Sequence, residues 1–255
     1  MQNLHRRADD GPVSLRGQDG HTIMQGGRAG VLAGVAAAWF LLGLVVIYPA
    51  SGLALTMQHN PHRYLTFAGR HQILVWMVNV LGGMLFPLLA VVLLFALAER
   101  FRDDAPDRAR IGGAIGIVGA MGYAIEALIR QVGFGSLVPM YAQNKAGAAY
   151  AFYALNGTAN SFDALGGVGV GIAALVFGNI MLGMSRYGQL GYLSVLVGTP
   201  LILSAFVPHV ILTLIASILS ITWFIWVGYL MYMEAAPEGG RIRFGVAAKR
   251  ATRGA

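Results

Sequence analysis

The sequence has no cysteine. That excludes disulfides, thiolate metal sites, iron–sulfur clusters and cysteine nucleophiles. Charge is also scarce. Asp, Glu, Lys and Arg make up 11% of the 255 residues, against about 25% in an ordinary soluble domain. Lysine is nearly missing, with Lys145 and Lys249 standing beside 16 arginines. Catalytic motifs are missing too. There is no Gly-x-Ser-x-Gly elbow, no His-Glu-x-x-His and no P-loop, so the common hydrolase, zinc-protease and nucleotide-site signatures do not apply. No stretch between the apolar blocks is long enough to fold by itself.

What the chain does have is apolar length. It is 56% hydrophobic, with 35 glycines and a mean hydropathy of +0.64. The Gly-, Ala- and Arg-rich usage is that of a high-GC bacterial genome. Six segments approach the roughly 20 apolar residues that cross a bilayer: 29–50, 72–98, 111–129, 162–184, 190–207 and 209–233. The expected fold is an all-α, polytopic transmembrane bundle of six spans, occupying 28–233. Residues 1–27 read as a disordered polar tail without the apolar core of a signal peptide. Residues 234–255 read as a basic tail. Pro200 and "VPH" at 207–209 are expected to turn the chain between spans five and six, and span three has an apolar continuation to about Tyr141.

Basic residues set the orientation. Arg6, Arg7, Arg16, Arg28, Arg100, Arg102, Arg108, Arg110, Arg186 and five residues of the C-terminal tail fall on one side of the spans. Arg63, Arg70, Arg130 and Lys145 fall on the other. Positive charge favours the cytoplasm, so both termini are expected there, in a bacterial inner membrane. The net charge of +7 is spread over short loops with no folded domain to present it, which argues against a nucleic-acid partner.

Glycine recurs at helix-packing spacing. Gly26, Gly30 and Gly34 line span one, Gly112, Gly116 and Gly119 line span three, and Gly167, Gly171 and Gly178 line span four. Small residues let helices approach closely in lipid, where little hydrophobic drive exists between them. Such a stripe serves packing within the bundle or a homo-oligomer contact. "GVGVG" at 167–171 is therefore a packing motif, not a nucleotide loop. Trp39, Trp76, Trp223, Trp226, Tyr229 and Tyr232 fit interface belts and packing.

The chemistry-bearing residues gather at the outer ends of the spans. Tyr123, Glu126 and Arg130 continue the glycine face of span three by steps of three and four. Asn160 and Asp163 head the glycine face of span four, and Gln72, Asn79 and Gly83 share a line on span two. Asn79 lies eight residues in from His71, on the order of 12 Å deep. Glu126, Arg130, Asp163, Asn79, His71 and His209 are thus the candidate polar cluster of the outer half. Glu126 and Arg130 are expected to pair on the buried seam. His59, His62, His71 and His209 lack helical i, i+4 spacing and opposed pairs within the spans, so no metal, haem or other cofactor is expected.

"GYAIEALIR" (122–130) and "FGNIMLGMSRYGQLGYLSVLVG" (177–198) resemble the bacterial six-helix membrane family catalogued as domain of unknown function 4386. In that family an acidic residue precedes small or apolar residues in the third helix. A Phe-Gly-rich fourth helix then ends in a Ser-containing turn, and a Leu-Gly-rich fifth helix follows. Here Tyr123-Ala124 stand where the family has an arginine before the glutamate. The resemblance implies architecture over 28–233 and no reaction.

Three functions fit these residues. One is an accessory or structural subunit of a membrane complex. Another is a protein binding a small molecule or lipid in an outer polar cavity, with transport as its extension. The last is a membrane-embedded enzyme using Glu126, Asp163 or the histidines. Residues 29–129 and 162–233 show no internal repeat of the kind that marks many transporters.

Overall fold

A computed structural model describes residues 17–207 and 209–235. Among these the structure is helical, with no strand. Six helices are long and apolar enough to cross a membrane: span one Gly20–Ala50, span two Gln72–Arg100, span three Pro106–Gln143, span four Lys145–Leu182, span five Gly188–Phe206 and span six Val210–Ala235. The chain is a multi-pass membrane protein by this architecture.

Each span packs chiefly against its neighbours in sequence, and span one closes on span six, so the bundle is a ring. Its centre is filled. Phe86 meets Phe224 edge-on at 5.1 Å and Tyr123 at 5.7 Å, and Trp223 is fully buried with its indole N–H donating to Ser194 Oγ at 2.7 Å. The ring is sealed by backbone-close contacts. A Cβ on Gly30 would stand 2.9 Å from Gly228, and one on Gly34 would stand 2.4 Å from Ile225 of span six. Gly116 lies against Ala173 of span four, Gly167 against Leu201, and Gly171 against Gly198 of span five. Gly119 and Gly169 meet backbone to backbone, where an added Cβ would lie 2.6 Å from the opposing chain.

The two sides of the bundle differ. The described chain ends, near Gly20 and Ala235, share one side, the terminal side, where the Arg28 guanidinium lies 5.5 Å from the Tyr232 ring. The opposite side carries a cap. There a short helix, Pro61–Arg70, begins with Pro61 behind the Asn60 side chain, which accepts the Arg63 N–H at 3.1 Å. Its apolar face (Tyr64, Leu65, Phe67, Ala68) builds a second core with Tyr48, Leu53, Phe134, Leu137 and Phe152.

Several boundaries differ from the sequence expectation. The first helix begins at Gly17, so residues 17–27 of the expected tail are helical, while residues 1–16 and 236–255 lie outside the described residues. Span three runs to Gln143 and span four starts at Lys145, 17 residues earlier than expected; each has 38 residues. The expected spans leave residues 142–161, with the polar "NKAG" and "NGTANS", outside the membrane helices. Instead Asn144 caps span four by accepting the Gly147 N–H at 2.9 Å, and Ala148 and Phe152 bury against the cap helix. At about 57 Å each, these helices outreach a hydrocarbon core of about 30 Å. Pro200 lies inside span five, not in a turn. Span five ends at Phe206 and span six begins at Val210, with Pro208 of the expected turn outside the described residues; a proline such as Pro200 costs a helix its own N–H bond and a local clash but does not compel a reversal.

Candidate functional site

Span three carries the two charges inward. Glu126 is 8% exposed and accepts from Arg130 Nε. The guanidinium also reaches span four, donating to Asn160 Oδ1 at 3.0 Å and, more weakly, to Asn156 Oδ1 at 3.4 Å. It lies 6.0 Å from the Phe134 ring. Asparagine at 156 and 160 is one turn apart, so both oxygens face the same partner. Asp163 is exposed but close enough to Arg130 and Glu126 for their charges to interact. No hydrogen bond holds it. Two carboxylates therefore accompany one guanidinium.

The helices around this pair are not regular. Spans one, two and three each contain a π-helical turn, at Gly43–Ile47, Asn79–Met84 and Ile129–Gly133. A π-turn inserts one residue, widens the helix and leaves backbone geometry that usually survives only where it is used. The second touches the third, and the first and second pack on each other's flanking residues. Gly43 packs on Val78, Gly82 on Phe40, and Gly83 faces Phe40 and Ala127. Arg130 is part of the third turn and Asn79 begins the second.

Among the described residues, three buried side-chain atoms have no hydrogen-bond partner: Tyr48 Oη, Asn79 Nδ2 and Gln131 Oε1. Tyr48 follows the first π-turn, Asn79 opens the second and Gln131 lies within the third. A buried polar atom left unpaired costs on the order of 1–3 kcal/mol. Each of the three stands at or beside one of the irregular turns.

A cleft of about 440 Å³ opens here, between the cap helix and span two on one side and span three on the other. Its walls are Ile73, Val75, Trp76, Phe134, Val138 and Pro139, with Arg130 and Gln131 providing polar atoms beside Tyr64 and Gln72. Burial pushes the Tyr64 phenol above its ordinary range, against the pull of the Arg130 charge, so Tyr64 presents a neutral hydroxyl. Ile73 and Trp76 are 77% and 50% exposed, so the mouth lies on the outer, lipid-facing flank of the bundle.

The candidate residues are not all brought together. Glu126, Arg130 and Asp163 form one group. Asn79, 4% exposed, lies beside the Tyr64 side chain. His71 ends the cap helix, exposed, with its ring 4.7 Å from Phe67. His209 is exposed in the turn between spans five and six. Neither histidine bonds to the Glu126–Arg130 pair. His62 instead meets the Tyr141 hydroxyl at 3.0 Å. Among the described residues, no three His, Asp or Glu side chains gather as a metal-ligating group.

Sequence reasoning missed Tyr64, Gln131 and Asn156. Tyr64 and Asn156 lie between the expected spans, and glutamine has no periodic signal. The adjacency of Gln131 to the flagged Arg130 was the available clue. No family model matches the chain, and neither a curated protein nor a solved structure is significantly similar to it.

Proposed function

We propose that this protein binds a small amphipathic molecule drawn sideways from the bilayer into the cleft between spans two and three. The observation that carries the reading is the cleft itself: apolar walls reaching the lipid-facing flank, and the polar atoms of Arg130 and Gln131 inside it. Its size lies within the roughly 300–1,000 Å³ range of small-molecule sites. An ionisable pair inside a membrane bundle is a functional hypothesis in its own right, because each charge costs about 2.5–3.5 kcal/mol at mid-membrane.

The cap side faces away from the cytoplasm in this proposal. Arg28, Arg100, Arg102, Arg108, Arg110 and Arg186 belong to the terminal side, and the cap side has Arg63, Arg70 and Lys145 besides the buried Arg130. Positive charge is retained on the cytoplasmic face. The cleft then opens toward the outer leaflet. Reporter fusions at positions 60, 105 and 240 test this, and a 105 loop found outside reverses the orientation.

Gly135 provides the test of binding. It lines the cleft, and a Cβ there meets nothing within 4 Å. Gly135→Trp fills the space from an exposed position of a helix that does not need glycine there. Native mass spectrometry of wild-type protein in membrane nanodiscs is expected to show a bound molecule that Gly135→Trp loses at unchanged melting temperature. A molecule retained by Gly135→Trp places binding elsewhere. A second reading, that the pair serves only to tie span three to span four, draws on the Arg130 bonds to Asn156 and Asn160. It predicts no bound molecule at all.

A further inference from the structure

We infer that the occupant of the cleft carries an uncharged headgroup that both donates and accepts a hydrogen bond, as a long-chain alcohol or acylglycerol does. This rests on the binding reading above and names its ligand class. Three facts select the headgroup. The first is charge balance. Arg130 is the one cation among the groups that meet here, and Glu126 already neutralises it, with Asp163 a second carboxylate in range. An entering anion would raise the local charge to two negatives in a low-dielectric setting, where like charges repel strongly. An entering cation would have to reach Glu126, which Arg130 covers, or Asp163, and neither carboxylate lines the cleft.

The second fact is the donor count. A guanidinium has five N–H groups. Glu126, Asn156 and Asn160 take three of them, which leaves two for an acceptor at the cleft. The third is Gln131, on the same wall one residue from Arg130, whose Oε1 is closed to solvent and without a donor, so that it meets an entering donor once the side chain turns toward the cleft. Its need is for a hydrogen, not a lone pair. A hydroxyl accepts from Arg130 and donates to Gln131 at once. A carboxylate satisfies only the first and an ammonium only the second. The apolar remainder of the molecule follows Val75, Trp76, Val138 and Pro139 toward lipid.

The experiment uses the full chain purified in detergent and three photoreactive probes with one chain length and a terminal diazirine: a primary alcohol, the matching carboxylic acid and the matching alkylammonium. Labelled peptides are located by mass spectrometry. The alcohol is expected to label 72–76 and 131–139, in competition with unlabelled alcohol, and the charged probes about tenfold less, the worth of one mismatched hydrogen bond or more. Gln131→Leu is expected to reduce alcohol labelling severalfold and leave acid labelling unchanged. Gly135→Trp is expected to abolish labelling by all three. Acid or ammonium labelling equal to that of the alcohol, at sites that Gly135→Trp blocks, overturns the headgroup inference while the binding reading stands. The same holds if Gln131→Leu has no effect on the alcohol. Labelling of the cleft by none of the probes, or labelling indifferent to Gly135→Trp, removes the binding reading and this inference with it.

Discussion

Each side of the bundle carries a partly buried arginine–glutamate cluster, and the two are built on opposite plans. On the terminal side, Glu234 of span six takes Arg100 Nε of span two at 3.2 Å, Arg186 at 3.3 Å and the Tyr187 hydroxyl. Arg100 also donates to Tyr187 at 2.9 Å and pairs with Asp104 at 3.5 Å. Most of these contacts join segments far apart in the chain. On the cap side the central pair, Glu126 and Arg130, sits four residues apart on one helix. A pair that closes on its own helix contributes about 0.2–0.5 kcal/mol to that helix in water, and its ties elsewhere are the neutral hydrogen-bond acceptors of Asn156 and Asn160 on span four. The first cluster explains itself as a fastening of the fold. The second does not recover its own desolvation as a fastening, which is why its surroundings point to use.

The largest effect tests that distinction directly. Arg130→Leu leaves Glu126 buried without its cation, and breaking a buried pair from one side costs about 3–5 kcal/mol. The double variant Glu126→Gln, Arg130→Leu is expected to recover most of that loss in thermal unfolding while remaining unable to hold the bound molecule. If the double variant is as unstable as the single, the cap-side cluster is a fastening like the other.

A smaller effect is expected on the terminal side. Glu234→Gln weakens contacts to Arg100, Arg186 and Tyr187 together, but the arginines keep access to water, so the loss is about 1–3 kcal/mol. Here removing both partners, Glu234→Gln with Arg100→Leu, is expected not to recover stability, because the link between spans two and six is gone. Recovery would erase the contrast between the two sides.

The smallest is a pH effect. Burial, with the hydrogen bond to Glu234 second, pushes the Tyr187 phenol up to about 12. The folded protein then holds a proton that the unfolded chain has released. That contribution is complete below pH 10, and it is lost as pH rises toward 12. Melting temperature is expected to fall across this window in wild type and to fall less in Tyr187→Phe. Equal slopes would mean that the hydroxyl is not held by the cluster.

Much of this was legible in residues. The six spans followed from apolar length, and the glycine faces of spans one, three and four follow their spacing. Glu126 and Arg130 stood out because charge is conspicuous in an apolar run, and their separation put them on one face. The cap was not legible. Asn144 and Asn60 begin helices, but asparagine serves loops and caps alike, and only tertiary burial of Phe134 and Phe152 decides between them. The terminal fastening was hidden because Glu234 lay in a stretch assigned to the tail, 134 residues from Arg100. The π-turns have no sequence signature. Glycine at 43, 82 and 83 lets spans one, two and three come close beside them.

Gly119 and Gly169, meeting backbone to backbone, make a fulcrum. No side chain lies between them to be compressed or to change rotamer, so spans three and four cannot slide apart there without losing the contact outright. Beyond it, span three continues for 24 residues to Gln143, a lever arm of about 36 Å at 1.5 Å per residue. The π-turn at Ile129–Gly133 is its one soft joint before Pro139. A rocking of about 5° at the fulcrum carries the far tip about 3 Å over such an arm, enough to change the gape of the cleft beside it. A contact between two bare backbones thus stands at the base of the arm that walls the cleft.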